Sequence, residues 1–184
     1  HSTFINDYYT RNGISKGLKD CLDNDIILIS DVDEFPDIDK FKLFNGNLTV
    51  FKQVMFYFKL NLRVRNFDHD SGDGLWPGTR MLNFRLFKKI NNVQKIRNFK
   101  AKKYGWWRFD KPRLNIINYG GWHFRFFGSS KNLKHELENR SIGRGENILS
   151  TYSESDINNI IKNRLPFTTE EERYEVYPLS KMPD

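Results

Sequence analysis

The sequence predicts an α/β domain, and three observations carry that expectation. Ile26-Ile27-Leu28-Ile29 is a short, unbroken aliphatic run bounded by turn-forming residues, the pattern of a strand buried on both faces in the middle of a sheet. Residues 48–62 carry Val50, Val54, Phe56, Phe58, Leu60 and Leu62 at alternating positions in their second half, and 81–87 alternate again, the period of further strands. Residues 3–22, and two segments opened by serines near 130 and 154, repeat apolar residues at helical spacing. The 184 residues fit one domain, 1–184, of a size that buries roughly 70% of its unfolded surface. With 38% hydrophobic and 15% aromatic residues, the composition excludes a disordered chain.

Taken in order, residues 3–22 form a helix broken near Gly13 and Gly17. Phe4, Ile5, Tyr8 and Tyr9 lie on one face, and Ile14, Leu18, Cys21 and Leu22 on another. Asp23-Asn24 turns the chain into the 26–29 strand, and Pro36 ends regular structure after it. Leu48 to Leu62 makes one or two strands. Asn66 to Gly78, rich in Asp and Gly and carrying Trp76-Pro77, is a loop, and Met81 to Phe87 is a strand again. Residues 91–113 are basic and aromatic, with Trp106-Trp107 among them. Ile116 to Phe127 is a strand interrupted by Gly120-Gly121. Ser129 or Ser130 caps a helix with Leu133 and Leu137 on one face. Ser153 or Ser155 caps another with Ile157, Ile160, Ile161 and Leu165, which Pro166 stops. An acidic, then aromatic tail follows Thr168.

The formal net charge of +7 favours anionic partners, but the basic residues form no tail-like run of the kind that grips nucleic acid or lipid. The single cysteine, Cys21, excludes an intrachain disulfide and a cysteine-rich metal site. No apolar run reaches membrane-spanning length. The chain opens at His1, as an excised or processed piece would. Asn47-Leu48-Thr49 and Asn139-Arg140-Ser141 fit the glycosylation acceptor pattern, which chance explains equally well in so Asn-rich a sequence.

Three acids, Asp31, Asp33 and Glu34, stand within four positions directly after the aliphatic strand. Ligands of open α/β sheets bind beyond the carboxyl ends of strands. On an extended chain Asp31 and Asp33 point to one side, so their carboxylates converge and repel. A hard divalent cation, Mg²⁺ or Mn²⁺, relieves that repulsion and completes its shell with substrate phosphates. The alternatives are an ordinary exposed turn and a phosphatase nucleophile. The latter wants Thr or Val where Phe35 stands.

The segment Asn24 to Pro36, ending Ser30-Asp31-Val32-Asp33-Glu34-Phe35-Pro36, resembles the signature of glycosyltransferase family 17, which includes the bisecting N-acetylglucosaminyltransferase of animals. Tyr119-Gly120-Gly121-Trp122-His123-Phe124 looks like that family's G-W-H segment. Trp76-Pro77-Gly78-Thr79-Arg80 and Arg11-Asn12-Gly13-Ile14 agree more loosely. These blocks keep the family's order over about residues 5–146. Two departures stand out. The family carries a further N-terminal segment with the first strands of its sheet, and Arg144 occupies a position where a His is usual.

The resemblance implies a GT-A-like nucleotide-sugar-binding sandwich with a mixed central sheet, lacking its N-terminal strands. It also implies inverting, metal-dependent transfer of a sugar, N-acetylglucosamine by analogy, from a UDP-sugar to a glycan acceptor. Mn²⁺ or Mg²⁺ would be held by Asp31 and Asp33, with His123 as a third ligand or a packed histidine. Asp31, Arg11, Arg80 and Trp122 would contact the donor, with Lys16 a further source of charge and Trp76 a further sugar platform. The base that takes the acceptor's proton is sought among Glu146, Glu34, Asp70 and Asp73, with Glu146 preferred for its place past the G-W-H strand. By the same analogy the site of action is the Golgi lumen for a eukaryotic chain and the cytoplasm for a bacterial or viral one. Two other classes compete: a carbohydrate- or partner-binding remnant without turnover, and a nucleic-acid binder, for which no motif is present.

Overall fold

The computed structural model describes residues 2–65, 73–102, 105, 107–110, 113–139, 151–168 and 170–182. The fold is mixed α/β, with parallel and antiparallel strands, and the chain divides into two compact units. Residues 1–53 and 75–122 form the first, and 54–74 and 123–184 the second. Among the described residues no helix is long and apolar enough to cross a membrane.

In the first unit, α1 (Ser2–Gly13) gives way to a 3-10 turn at Ile14–Leu18, so the expected break falls at Gly13. Asn12 Oδ1 accepts the Val93 amide at 2.9 Å and ties this helix to α3 (Val93–Asn98). Strand β1 (Ile26–Ile29) pairs antiparallel with β5 (Leu75–Asn83), from Ile26 opposite Asn83 to Ile29 opposite Arg80. Next to β5 runs β3 (Leu48–Tyr57), all of whose ten residues are buried. Its first half pairs in parallel with β6 (Leu114–Ile117). Ile27, Ile29, Leu48, Leu82, Phe87, Val93 and Ile96 make the core, with Leu18 and Cys21 packed against it.

Three expectations are corrected here. The aliphatic strand is not buried on both faces. Ile27 and Ile29 are buried, whereas Ile26 and Leu28 are 44% and 43% exposed. Phe87, Val93 and Ile96 pack on the face that carries Ile27 and Ile29, and an unbroken aliphatic run reports apolarity without reporting which faces are covered. Residues 84–87 are helical, not extended. Asn83 Oδ1 accepts the Leu86 amide at 2.8 Å and starts α2 (Phe84–Ile90), which stacks Phe84 on Phe87 one turn apart. The cap outweighs an apolar spacing that served either period. β5 likewise begins at Leu75, inside the stretch expected as a loop; residues 66–72 of that stretch lie outside the described residues.

The paired glycines have a steric cause. β7 (Gly121–Arg125) pairs with β2 (Glu34–Pro36), and Gly121 has φ +141. A Cβ at Gly121 would fall 2.2 Å from the Phe35 carbonyl oxygen. Gly120 donates its amide to the Lys52 carbonyl at 2.6 Å and accepts from the Asp37 amide at 2.9 Å. Only glycine lets these backbones approach so closely.

In the second unit the end of β3 pairs antiparallel with β4 (Leu62–Val64), and β4 with β8 (Tyr174–Val176). Arg63 and Arg65 both reach Glu175 at 3.2 Å. Tyr57, Phe58, Phe126, Phe167 and Tyr174 pack as an aromatic cluster. Beneath it the buried Glu172 carboxylate accepts the Phe167 and Thr168 amides, the Thr168 hydroxyl and, at 2.7 Å, the Tyr174 hydroxyl. Helix α4 (Ser130–Asn139) packs on α5 (Glu154–Asn163) through Leu133, Leu137, Ile157 and Ile160. Ser153 and Asp156 close a reciprocal capping box, and left-handed Arg164 ends α5 before Pro166. Of the two acceptor sequences, Asn47-Leu48-Thr49 runs into β3, where Thr49 is fully buried and donates to the Asn47 carbonyl. Ser141 of the other lies outside the described residues.

Candidate functional site: an arginine-bridged acidic turn

The acids after β1 do not continue the strand. The Glu34 amide donates to the Asp31 carbonyl at 3.1 Å, closing a four-residue turn. The expected convergence of Asp31 and Asp33 on an extended chain therefore gives way to a different pair. The turn swings Glu34 back beneath Asp31, and one guanidinium, that of Arg97 on α3, serves both. Arg97 Nη2 lies 2.7 Å from Asp31 Oδ2 and 2.7 Å from Glu34 Oε1, and Nη1 lies 3.0 Å from Glu34 Oε2. Asp33, half-buried, stands at the third position of the turn.

Glu34 is the closed end of this cluster, its side chain 0% exposed. Besides Arg97, its carboxylate accepts from Trp76 Nε1 at 2.7 Å, the Asp31 amide at 3.2 Å and the Ser30 hydroxyl at 3.4 Å. A carboxylate with every lone pair so engaged, and no exposed surface, is an anchor for the turn. That is a different environment from the one expected of a base that must reach an acceptor hydroxyl. Asp31 is the open end, its side chain 33% exposed, and it faces Arg11, also 33% exposed, at 3.3 Å. Arg11 sits in the last turn of α1, where a cation suits the helix dipole, and its Nη1 donates to Gln94 Oε1 at 3.0 Å.

Arg80, expected on the donor's phosphates, lies 2% exposed. It donates to the carbonyls of Pro77, Gly78, Arg97 and Phe99, which ties β5 to the end of α3. Burial, with Arg97 nearby, pushes its guanidinium down to about 9, still above neutral pH, so it remains charged. For Arg97, burial disfavours the charge, but the Glu34 hydrogen bonds and the charges of Glu34 and Asp31 outweigh it and raise the guanidinium above the ordinary arginine value. Below the turn, Ser30 Oγ lies 2.7 Å from Thr79 Oγ1, which also accepts from Gln53 Nε2 at 3.2 Å. A Cβ at Gly78 would fall 1.9 Å from Gln53 Oε1, so a larger residue there would displace the Gln53 amide.

Four separated stretches thus meet at one place in the first unit: Arg11-Asn12, Ser30 to Pro36, Trp76 to Arg80, and Gly120-Gly121 behind Phe35. Trp122 follows them, half-buried, in the first unit, and His123, buried, belongs to the second. Glu146, Asp70 and Trp106 lie outside the described residues. Arg97 was not anticipated from the sequence. No local spacing marks it, and the only signal is that three clustered acids require cations from somewhere.

As a metal site the donor set offers hard carboxylate oxygens on a half-exposed turn. That suits an ion which takes one or two protein carboxylates and fills its shell from substrate phosphates. No cluster of three or more His, Cys, Asp or Glu side chains fit to hold a metal occurs among the described residues. Comparison with known proteins brings no counterpart: no family model matches the chain, and neither does any curated protein or solved structure.

Proposed function

We propose that this chain is a metal-dependent glycosyltransferase of the GT-A kind, moving a sugar from a UDP-sugar to a hydroxyl of a glycan. The observation that carries the reading is the meeting of the four sequence blocks at the acidic turn. Blocks picked out for their likeness to one enzyme family share hydrogen bonds and close backbone contacts around Asp31.

Each residue then has a task. Asp31 and Asp33 would hold Mn²⁺ or Mg²⁺, which when bound offsets the charge growing on the departing diphosphate. Arg97 bridges Asp31 and Glu34 and fixes the direction of the Asp31 carboxylate. Arg11 reaches solvent with a planar fork of donors suited to phosphate oxygens. Trp76, held by Glu34 through its indole N–H, stiffens the turn from the other side. Arg80 keeps the floor of the site in place through backbone carbonyls. Trp122, in the same unit, remains the proposed sugar platform.

Calorimetric titration of UDP-N-acetylglucosamine with and without Mn²⁺ tests this. Binding should require the metal and should vanish in Asp33→Ala and Asp31→Asn. Equal, metal-independent binding by all three proteins would sink the proposal. A second reading, a glycan-binding module without turnover, draws on one observation. Both Asp31 oxygens already accept from arginine, so Asp31 has cationic partners without a metal. It predicts glycan binding with no release of UDP from any nucleotide-sugar.

A further inference from the structure

The positive charge of this chain is concentrated in a way the net figure hides. Residues 75–122 contain 12 Lys or Arg and a single acid, Asp110. Two of those cations, Arg80 and Arg97, are committed to the site above. Lys95, Lys100, Lys102, Arg108 and Arg113 are exposed. Among them stand two large rings that water should not favour: Trp107 is 63% exposed and Phe109 85%. They flank Arg108 on a turn closed by the Arg108 amide and the Gly105 carbonyl at 3.0 Å. The Trp107 indole lies over Gly105, where a Cβ would come within 2.5 Å of the ring. The one acid is neutralised locally, since Arg108 Nε and Nη2 each lie 2.7 Å from the Asp110 carboxylate.

We propose that this turn docks on the headgroup face of an anionic lipid bilayer. Trp107 and Phe109 would enter the headgroup boundary, and the surrounding lysines and arginines would face the acidic headgroups. Rings that carry little or no polar surface gain by leaving water for that boundary, and a basic surround adds attraction to negative lipid. Single-stranded nucleic acid also takes aromatic rings and cations, but it lies along grooves that track its backbone. Here the rings stand on a tight turn. The inference does not depend on the glycosyltransferase reading.

The test is cosedimentation of the whole chain with vesicles. One set is phosphatidylcholine alone, and the other contains roughly 30 mol % phosphatidylserine. The protein should pellet with the acidic vesicles only, and added salt should release it as the Debye length shortens. Trp107→Ser/Phe109→Ser and, separately, Lys100→Glu/Lys102→Glu should each weaken retention at least about tenfold, read on variants whose circular dichroism matches that of the parent chain. Retention by neither vesicle, equal retention by both, or unaltered retention of folded variants would each overturn the proposal. So would a single-stranded RNA oligomer that binds through the same four residues and displaces the protein from the vesicles.

Discussion

Arg97 is the residue whose removal tests the architecture of the site most directly. Arg97→Met keeps most of the apolar stem and deletes the guanidinium. Glu34, with no exposed side-chain surface, would then lose the guanidinium bonded to it, while the Trp76 indole, the Asp31 amide and the Ser30 hydroxyl stay in place. Removing one partner of a buried ion pair typically costs about 3–5 kcal/mol, because the survivor is left charged and desolvated. The hydrogen bond from Arg97 Nη1 to the Gly78 carbonyl, at 2.8 Å, adds about 1 kcal/mol. Asp31 contributes little to the loss, since it retains Arg11 and a third of its exposure. A loss of about 4 kcal/mol is a large part of the roughly 5–15 kcal/mol that holds an ordinary domain together.

The magnitude alone would not identify the cause, so the assay is a double-mutant cycle followed by urea unfolding. Glu34→Gln keeps an acceptor for Trp76 while removing the charge. If the pair is the cause, Glu34→Gln/Arg97→Met should be about 2 kcal/mol more stable than the sum of the single losses predicts. Strict additivity, or a loss below about 1 kcal/mol for Arg97→Met, would refute the bridge as the element that holds the turn.

Other substitutions probe separate links. Gly121→Ala drives a methyl into the Phe35 carbonyl at a backbone φ of +141, so it should destabilise by more than about 1 kcal/mol and move the whole 34–36 strand, read as lowered urea midpoint and altered Trp76 fluorescence. Asn83→Ala deletes the cap of α2 and should cost about 1 kcal/mol in the same unfolding assay, with no effect on ligand titration. Arg11→Ala removes a third-exposed ion pair and the hydrogen bond to Gln94 and should cost about 1 kcal/mol, yet weaken nucleotide-sugar binding at least tenfold if that proposal holds. Burial pushes the Tyr57 phenol up to about 12, so the folded chain keeps a proton that the unfolded chain loses near pH 10. Stability should accordingly fall by about 2–3 kcal/mol between about pH 10 and 12, with part of the tyrosinate absorbance appearing only as the chain unfolds. Tyr174, raised by burial and by the Glu172 charge beside it, should follow the same course.

What the sequence made legible here, and what it hid, divides along the range of the interactions involved. Caps and breakers act within a few residues, so the Gly13 break, the Ser153 cap and the stop before Pro166 could be read directly. Periodicity failed where one spacing served two structures, as at Phe84 and Phe87, whose helix was decided by Asn83 alone. It failed again at β1, because burial of a strand's second face depends on what the rest of the chain supplies to cover it. The site shows the same division more sharply. Three acids in four positions announce an electrostatic problem that any reader of the sequence can state. They do not announce its solution, since a cation can come from solvent, from a substrate complex or from an arginine 63 positions away on a short helix. Arg97 is that arginine for Glu34 and Asp31, so repulsion within the turn no longer obliges a metal to be there. If a metal binds, it must therefore bind for what it does to the diphosphate, and its affinity should depend on the nucleotide being present. Mn²⁺ titrated alone should bind weakly and Mn²⁺ with UDP far more tightly; tight binding of the bare ion would mean that the arginine bridge does not balance the turn.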